Sequence, residues 1–439
     1  MQTSIADRLS QLLPASEWRA PRPPLIVLSH VRWSFVTQRP QHLLTRLARH
    51  FDVYVVEEPV FADAEPALMS ATHQDGVEVL TPRTKEFASG FHDSQVFAMQ
   101  PLLAEFIASR GLNEPLVWLT TPMAWPLVAD LEPRAIVYDC MDDLAASTSA
   151  PPELAARENA LMAMADVVLA AGPSLHNAYR GRHANLHCLP DAVDAAHFAP
   201  DRLDGDAVEN AVAAELHRGM PRPRLGFFGV VDERLDFGLV AALADLRPDW
   251  QIVMVGPVVA MDPQALPRRA NLHWGGLQRY ESLPHLMAQW DVCLLPFVAG
   301  DAAGGGHPSN VLEYLAGGKP VVSTPLPDVI SLYGTVVHVA KNAEQFAAAV
   351  EDLLDEPAPA RAERRARARE LVDAHGWDDA AAFVAALLLE YVPATPTCHL
   401  QDEALADVAS LAGHIDLAGI PVLTDRVELA AGRLPSAAP

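Results

Sequence analysis

Cysteine is scarce in this sequence, and its spacing excludes the sites that depend on it. The four cysteines are Cys140, Cys188, Cys293 and Cys398 in a chain of 439 residues, and no two of them form a CxxC pair. No group of histidines has the spacing of zinc ligands either. Neither a disulfide framework nor a metal site is predicted, and the composition indicates a reducing, cytoplasmic environment.

Long apolar runs are also missing. No run reaches the roughly 18 to 20 residues that would span a bilayer, and the first residues lack the basic and apolar regions of a signal peptide. Residues 1–23 are instead predicted to form an N-terminal helical extension, with Ile5, Leu9, Leu12 and Leu13 at helical spacing. An amphipathic helix on the body of the protein is favoured, and an anchor at a membrane surface is the alternative.

The chain also lacks an excess of basic residues. The chain has 32 Lys+Arg against 56 Asp+Glu, a formal net charge of −24 at pH 7. This charge repels phosphate backbones over most of the surface, so nucleic acid is not expected as a partner. Hydrophobic residues make up 50% of the chain, which is enough to build substantial folded cores.

The pattern along the chain predicts two α/β domains. Short apolar runs alternate with segments of helical period from residue 24 onward, which is typical of βαβ units and a mostly parallel sheet. A polar, proline-bearing stretch interrupts this alternation once. The predicted units are an N-terminal Rossmann-like domain at 24–200, a linker at 201–222, a C-terminal Rossmann-like domain at 223–394 and an acidic appendage at 395–439.

The segment from Phe297 to Thr324 is the first candidate for chemistry. A predicted strand ends at Phe297, a loop with Gly304, Gly305 and Gly306 follows, and Pro308 opens a helix. Glycines permit close backbone approach and a helix N-terminus favours anions, so a diphosphate fits there. Glu313 lies within reach of a ribose whose vicinal hydroxyls suit a carboxylate. The alternative is a surface loop followed by a capped helix.

A second candidate follows the predicted strand that ends at Gly229. Arg234 lies in the charged turn after it, where a guanidinium could neutralise a leaving phosphate. The alternative is a solvated charged turn. Gly256 and Tyr280 follow neighbouring strands of the same predicted sheet and could form the wall of a base-binding pocket.

The first domain offers polar side chains at the same kind of strand end. His30, Trp33 and Arg39 lie between the first strand and its helix, where a sugar or another polyol could bind, although Trp33 suits domain packing equally well. Asp139 ends a later strand in the run YDCMDD. A cleft carboxylate that orients a hydroxyl is favoured there over a metal ligand.

Seven collinear segments resemble a known family. They are WSFVTQRPQHLLTRLA, VYDCMDDLAAS, ADVVLAAGPSL, LPDAVDAAHF, GFFGVVDERLD, VMVGPV and PSNVLEYLAGGKPVVST. Together they resemble the bacterial family 4-like glycosyltransferases of the teichuronic-acid-biosynthesis type, over about residues 24–390. The resemblance implies the GT-B fold, in which two Rossmann-like doubly wound domains face each other across a cleft.

The resemblance also implies an activity and its partners. The implied activity is retaining transfer of a sugar from a nucleotide-diphosphate donor, such as a UDP- or GDP-sugar, without a bound metal or further cofactor. The acceptor would be a hydroxyl of a glycan or of a lipid-linked molecule in surface polysaccharide biosynthesis. Peripheral association with the inner membrane face is left open.

Residue roles are carried over by position. Glu313 would bind the ribose, Gly229 would allow close approach of the donor, and Arg234 would bind the diphosphate and assist its departure. The loop glycines Gly304 to Gly306 would cradle phosphate or sugar. Together with the strand-end candidates, the predicted donor-binding set also includes Gly256, Tyr280, Asn310 and Leu312. The predicted acceptor-binding set is His30, Trp33 and Arg39, and the predicted catalytic pair is Arg234 and Asp139.

Two positions depart from the family pattern. Relatives commonly have a lysine where this sequence has Asn310, and often a second acid where it has Gly305. Loss of the cation removes part of the stabilisation of the leaving group. Two alternatives to a transferase therefore stay open: a non-catalytic nucleotide-sugar-binding subunit and, with less support, a sugar-nucleotide epimerase.

Overall fold

The computed structural model describes residues 22–73, 75–144, 150–203, 205–299 and 308–393. Most of the predicted N-terminal extension, the predicted appendage and the three loop glycines Gly304, Gly305 and Gly306 lie outside the described residues. Within the described ranges, no helix combines the length and the apolar character needed to cross a membrane.

The first domain is built on a mostly parallel sheet, which has nine strands within the described ranges. Strand order is β3-β5-β2-β1-β6-β7-β8-β9, and β4 pairs antiparallel with β5 at the edge. The strands are β1 (Pro24–Ser29), β2 (Asp52–Glu57), β3 (Val60–Phe61), β4 (Ala67–Thr72), β5 (Glu78–Thr84), β6 (Leu116–Leu119), β7 (Ala135–Cys140), β8 (Val167–Ala170) and β9 (Leu186–Cys188). The central strands are buried on both faces, as their continuous apolar runs predict.

Helices cover both faces of this sheet. They are α1 (Arg39–Leu47), α2 (Asp93–Arg110), α3 (Leu154–Met164) and α4 (Pro173–Tyr179), together with a 3-10 helix at Pro122–Leu131. At the start of α1, Pro40 occupies the first turn, where a missing N–H costs nothing. The side chain of Gln41 accepts a bond of 3.0 Å from the backbone N–H of Gln38. The position of α1 is therefore fixed at its first turn, beside the end of β1.

The second domain is a parallel sheet with helices on both faces. Its strand order is β12-β11-β10-β13-β14-β15. The strands are β10 (Arg224–Phe228), β11 (Gln251–Val255), β12 (Leu272–Gly276), β13 (Val292–Leu295), β14 (Val321–Ser323) and β15 (Val337–Val339). The helices that follow the first domain are α5 (Ala195–Phe198), α6 (Ala207–Leu216), α7 (Phe237–Leu246), α8 (Leu283–Ala288), α9 (Asn310–Ala316), α10 (Pro327–Tyr333), α11 (Ala343–Leu354), α12 (Ala358–Asp373) and α13 (Trp377–Leu389), with 3-10 helices at Pro200–Leu203, Pro263–Ala265 and Tyr280–Ser282.

The boundary between the domains lies earlier than the predicted linker at 201–222. Ala192 is buried in a core of the first domain, whereas Val193 and Phe198 are buried in the second. Helix α6 lies inside the predicted linker, and its Ala213 is fully buried against the second domain. Most residues of this segment are polar and only a small apolar face packs against the second domain. Composition alone therefore indicated a linker.

The end of the described chain returns to the first domain. Trp377, Val384 and Leu388 of α13 pack in the same core as β1 and α1. The backbones of Val193 and Gly376 form a β-bridge, so the two crossings between the domains run side by side. The second domain therefore ends before α13, and the predicted boundary at 394 is too late.

Candidate active site

A cavity of about 200 Å³ lies between the carboxyl ends of the two sheets. Its first wall comes from residues that follow β1, β7 and β9, and its second wall from residues that follow β10, β11, β12, β13 and β14. Ligands of open parallel sheets bind at this edge, where loops between strands and helices converge.

Two crossing glycine turns form part of the second wall. Gly229 and Gly256 have φ values of +150° and +146°, and a Cβ on Gly256 would lie 1.7 Å from the carbonyl oxygen of Gly229. The N–H of Gly229 donates to Val255 and that of Gly256 to Gly276, at 3.0 and 2.8 Å. Both N–H groups are thus engaged, and what these glycines provide is space beside the backbone.

Arg234 lines the cavity as a fixed cation. Its guanidinium donates to both carboxylate oxygens of Asp232 at 2.8 to 3.1 Å, and lies 3.9 Å from Asp142 of the first domain. Burial by itself would lower the pKa of Arg234, but the bond to Asp232 and the charge of Asp142 outweigh it and raise the pKa. About 37% of the side chain is exposed, which leaves it open to an anion in the cavity.

Glu313 supplies a carboxyl group from α9. Burial, and then the like charge of Asp191, raise the pKa of Glu313 to about 8. Within the described residues its carboxyl has no hydrogen bond and no ion pair. The side chain is half-buried, and a ligand that donates hydroxyl hydrogens would give its carboxyl oxygens a partner.

Asn310 and Tyr280 line the same wall. Asn310 is buried, and its amide nitrogen donates to the carbonyl of Phe228 at 2.7 Å. The ring of Tyr280 stacks on His197 with centroids 4.1 Å apart, so one of its faces is covered. Leu312 points the other way, into the core of the second domain, and does not line the cavity.

A buried charge network supports the first wall. Arg39 donates to Asp139 at 3.0 to 3.2 Å, to Asp191 at 3.4 Å and to the carbonyl of Leu189 at 2.8 Å. Burial would lower the pKa of Arg39, but its two carboxylate partners raise it. Asp139 is 1% exposed and lies behind Arg39. It does not reach the cavity lining.

His30 and Trp33 differ in position. Nδ1 of His30 lies 2.9 Å from the hydroxyl of Thr120, and burial lowers the pKa of the His30 imidazole to about 4, so the ring on the cavity wall is neutral. Trp33 packs against the first-domain core and its ring is tilted against His73. It lies outside the cavity lining, in line with the domain-packing alternative.

The structure thus gathers eight of the predicted site residues around one cavity. They are His30, Arg39, Gly229, Arg234, Gly256, Tyr280, Asn310 and Glu313. Asp139, Trp33 and Leu312 lie away from it. Asp191 and Asp142 also line it, and both were missed as candidates, although each follows the carboxyl end of a strand by two or three residues.

Metal binding has no candidate in the part of the chain described. No group of three or more His, Cys, Asp or Glu side chains there could hold an ion. Metal independence stays a prediction.

Comparison with known families confirms the resemblance. Residues 222–356 match the family model described as "Glycosyl transferases group 1". The matched residues lie in the second domain and make up about a third of the chain.

A bacterial relative is named as a glycosyltransferase as well. A Bacillus subtilis (strain 168) protein named as the teichuronic acid biosynthesis glycosyltransferase TuaH is 27% identical over 259 residues, which are 55% of this chain and 63% of that protein. The present chain therefore spans less than two thirds of this relative's length.

Solved structures show the same architecture. Sucrose-phosphate synthase from Thermosynechococcus elongatus superposes with a TM-score of 0.67 at 16% identity, over 84% of this chain and 99% of that one. Anabaena Alr3699/HepE in complex with UDP and glucose superposes with a TM-score of 0.62 at 16% identity, over 84% of this chain and 100% of that one. At these identities the likeness establishes the GT-B fold.

Proposed function

We propose that the protein is a retaining glycosyltransferase that moves a sugar from a nucleotide-diphosphate donor to an acceptor hydroxyl. The group 1 domain and the relative named as a glycosyltransferase support this proposal. The observation that carries it is the cavity between the two sheets, in which Glu313, Arg234 and the glycine turns lie on the second wall.

The donor would bind along the second wall. The unpartnered carboxyl of Glu313 suits the vicinal hydroxyls of a ribose, and the glycine turns leave room for a diphosphate beside the backbone. The structural neighbour described in complex with UDP and glucose has the same fold and supports a nucleotide-sugar ligand.

Arg234 would stabilise the leaving group. As the bond between the anomeric carbon and the phosphate oxygen breaks, negative charge grows on the diphosphate, and a cation already fixed by Asp232 stabilises that charge without reorganising. The acceptor oxygen forms the new bond on the same face of the sugar, and its proton passes to the departing phosphate.

The acceptor would approach from the first wall. The neutral imidazole of His30 can exchange a hydrogen bond with a hydroxyl there, and Arg39 holds that wall in place through its buried carboxylate partners. The proposal extends to a glycan or lipid-linked acceptor in surface polysaccharide biosynthesis and to a position at the inner membrane face. The relative's name supports the first of these.

Donor hydrolysis in the absence of acceptor tests the chemistry. UDP-, GDP- and ADP-glucose are incubated with the protein, and NMR follows the anomeric configuration of the released glucose. We expect slow release of α-glucose from one of these α-linked donors. Release of β-glucose would contradict retention, and no release from any donor would contradict catalysis.

Arg234→Ala tests the role of the cation in the same assay. We expect a loss of turnover of about 10- to 1,000-fold, as for removal of one charge-stabilising donor. The control is Arg269→Ala, which removes an exposed arginine that pairs with Asp245 in the same domain. Equal turnover in the two variants would overturn the assignment.

One observation favours a second candidate, a nucleotide-sugar-binding subunit without activity. Among the described lining residues, the guanidinium cations are Arg39 and Arg234, and both are already paired with carboxylates. Leaving-group stabilisation is then weaker than with a free lysine at position 310. Donor binding without hydrolysis or transfer would support this candidate.

A further inference from the structure

One end of the Arg234 guanidinium is not used by the second domain. Nε and Nη2 donate to the carboxylate of Asp232 at 2.8 to 3.1 Å. A guanidinium carries its five N–H donors in a fixed fork, so a carboxylate held by Nε and Nη2 leaves Nη1 for another partner. Nη1 is therefore the end that a phosphate in the cavity would meet.

A carboxylate of the first domain faces this end. An oxygen of Asp142 lies 3.9 Å from Nη1 of Arg234, and both residues line the cavity. The two atoms are too far apart for a hydrogen bond, but the negative charge of Asp142 helps to raise the pKa of Arg234. About 39% of the Asp142 side chain is exposed, so a ligand between the two walls can reach it.

Backbone contacts fix the place of Asp142. The residue follows the end of β7 by two positions. Its carbonyl accepts from the N–H of Leu144 at 3.0 Å and from the thiol of Cys140 at 3.5 Å. These contacts hold Asp142 at the carboxyl end of the first sheet, where its side chain faces the second wall.

Among the lining residues that the structure describes, no other cation offsets this carboxylate. The Arg39 side chain is 4% exposed and already bonded to Asp139 and Asp191. The imidazole of His30 is neutral, because burial lowers its pKa to about 4. An anion bound at Nη1 of Arg234 therefore meets the full charge of Asp142.

This charge acts differently on a nucleoside diphosphate and on a nucleotide sugar. The diphosphate ends in a free phosphate, whose second ionisation has a pKa of about 6, so that it carries an additional negative charge at neutral pH. In the nucleotide sugar the same phosphate is esterified and lacks this charge, and the attached sugar brings hydroxyl donors. Asp142 repels the free phosphate and can accept a hydrogen bond from the sugar.

We infer that Asp142 is a specificity-determining residue that shifts the preference of the cavity away from the free nucleoside diphosphate and toward the sugar-bearing donor. This inference rests on the proposed function, in which the diphosphate is a product. Both ligands contain the same nucleoside, so the contacts of the nucleoside with the second wall cancel in the comparison. A weaker hold on the product lets donor refill the cavity.

Calorimetric titration of matched ligands tests the inference. UDP, GDP and ADP are each compared with the corresponding nucleotide glucose on the full chain, at about pH 8, where the terminal phosphate is fully ionised. Asp142→Asn keeps the size of the side chain and one acceptor oxygen but removes the charge. For the nucleotide that binds, we expect this variant to bind the free diphosphate at least fivefold more tightly than the wild type does. Its affinity for the nucleotide glucose should not rise.

Asp130→Asn is the matched control. Asp130 is an exposed carboxylate of the first domain that accepts from Gln100 and lies outside the cavity lining. The substitution changes the net charge by the same amount, and both affinities should stay within twofold of the wild-type values. Thermal unfolding of each variant checks folding independently of binding. If Asp142→Asn does not fold, Asp142→Ala takes its place.

The outcomes separate this inference from the proposed function. Binding of none of these ligands by the wild type would overturn both. An unchanged ratio of the two affinities in a folded Asp142 variant would overturn only the role of Asp142. So would a shift of the same size in Asp130→Asn, because net charge alone would then explain it.

Discussion

The two walls of the cavity are built in different ways. The second wall requires two residues without side chains, because the backbones at Gly229 and Gly256 pass so closely that a Cβ on Gly256 would collide with the backbone of Gly229. The first wall depends on charge that is present, because Arg39 compensates the buried carboxylates of Asp139 and Asp191. One wall should therefore tolerate no added atom and the other no removed charge.

Removing the charge should have the largest effect. In Arg39→Met the side chain stays long and apolar, but two buried carboxylates lose their cation, so we expect a loss of about 3–5 kcal/mol in the free energy of unfolding. Chemical denaturation measures it. Arg22→Met is the control, because Arg22 pairs with Asp52 at an exposed site and should contribute at most about 1 kcal/mol. Similar losses in the two variants would show that the first wall does not depend on this charge.

Adding one carbon atom to the second wall should have the next largest effect on stability. Gly256→Ala forces the two turns apart. We expect the free energy of unfolding to fall by about 2–3 kcal/mol and nucleotide binding to be lost. Gly276→Ala is the control, since Gly276 also has a positive φ of +63° but has open space around its Cβ position. In that variant the free energy of unfolding should fall by about 1 kcal/mol, and nucleotide binding should be kept. A Gly256→Ala protein that binds as the wild type does would refute the close-approach role.

A third expected effect is a pH dependence that belongs to the second wall. The pKa of Glu313 is about 8 in the folded protein against 4.5 ordinarily. Between these values the folded protein holds a proton that the unfolded chain has released, so stability falls as the pH rises from about 5 to about 8. Chemical denaturation at about pH 5 and about pH 8 measures this change in the free energy of unfolding. We expect the free energy of unfolding of Glu313→Gln to fall less between these two pH values than that of the wild type. Identical declines in the two proteins would mean that the carboxyl is not destabilised by burial.

Much of this architecture follows from the sequence. Apolar runs such as Leu25 to His30 and Ala135 to Cys140 are too short for buried helices and become strands of parallel sheets. Because the carboxyl ends of such strands share one edge, the loops at Gly229 and Gly256 were predicted to meet, and they do.

What the sequence did not predict depends on contacts between distant residues. Asp139 seemed a cleft carboxylate because it ends a strand, yet Arg39, which lies 100 residues earlier, covers it. The stacking of His42 on Trp377, which joins α13 to the first domain, connects residues more than 300 positions apart. Local patterns carry no information on such pairings.

The proposed function depends above all on Glu313, which would bind the nucleotide of a sugar donor in this cavity. Titration of UDP, GDP and ADP into the wild type, Glu313→Ala and the exposed control Glu344→Ala tests it most directly. We expect the wild type and the control to bind one of these nucleotides, and Glu313→Ala to bind it with an affinity at least 10-fold lower. Equal affinity in all three proteins, or no binding by the wild type, would contradict it.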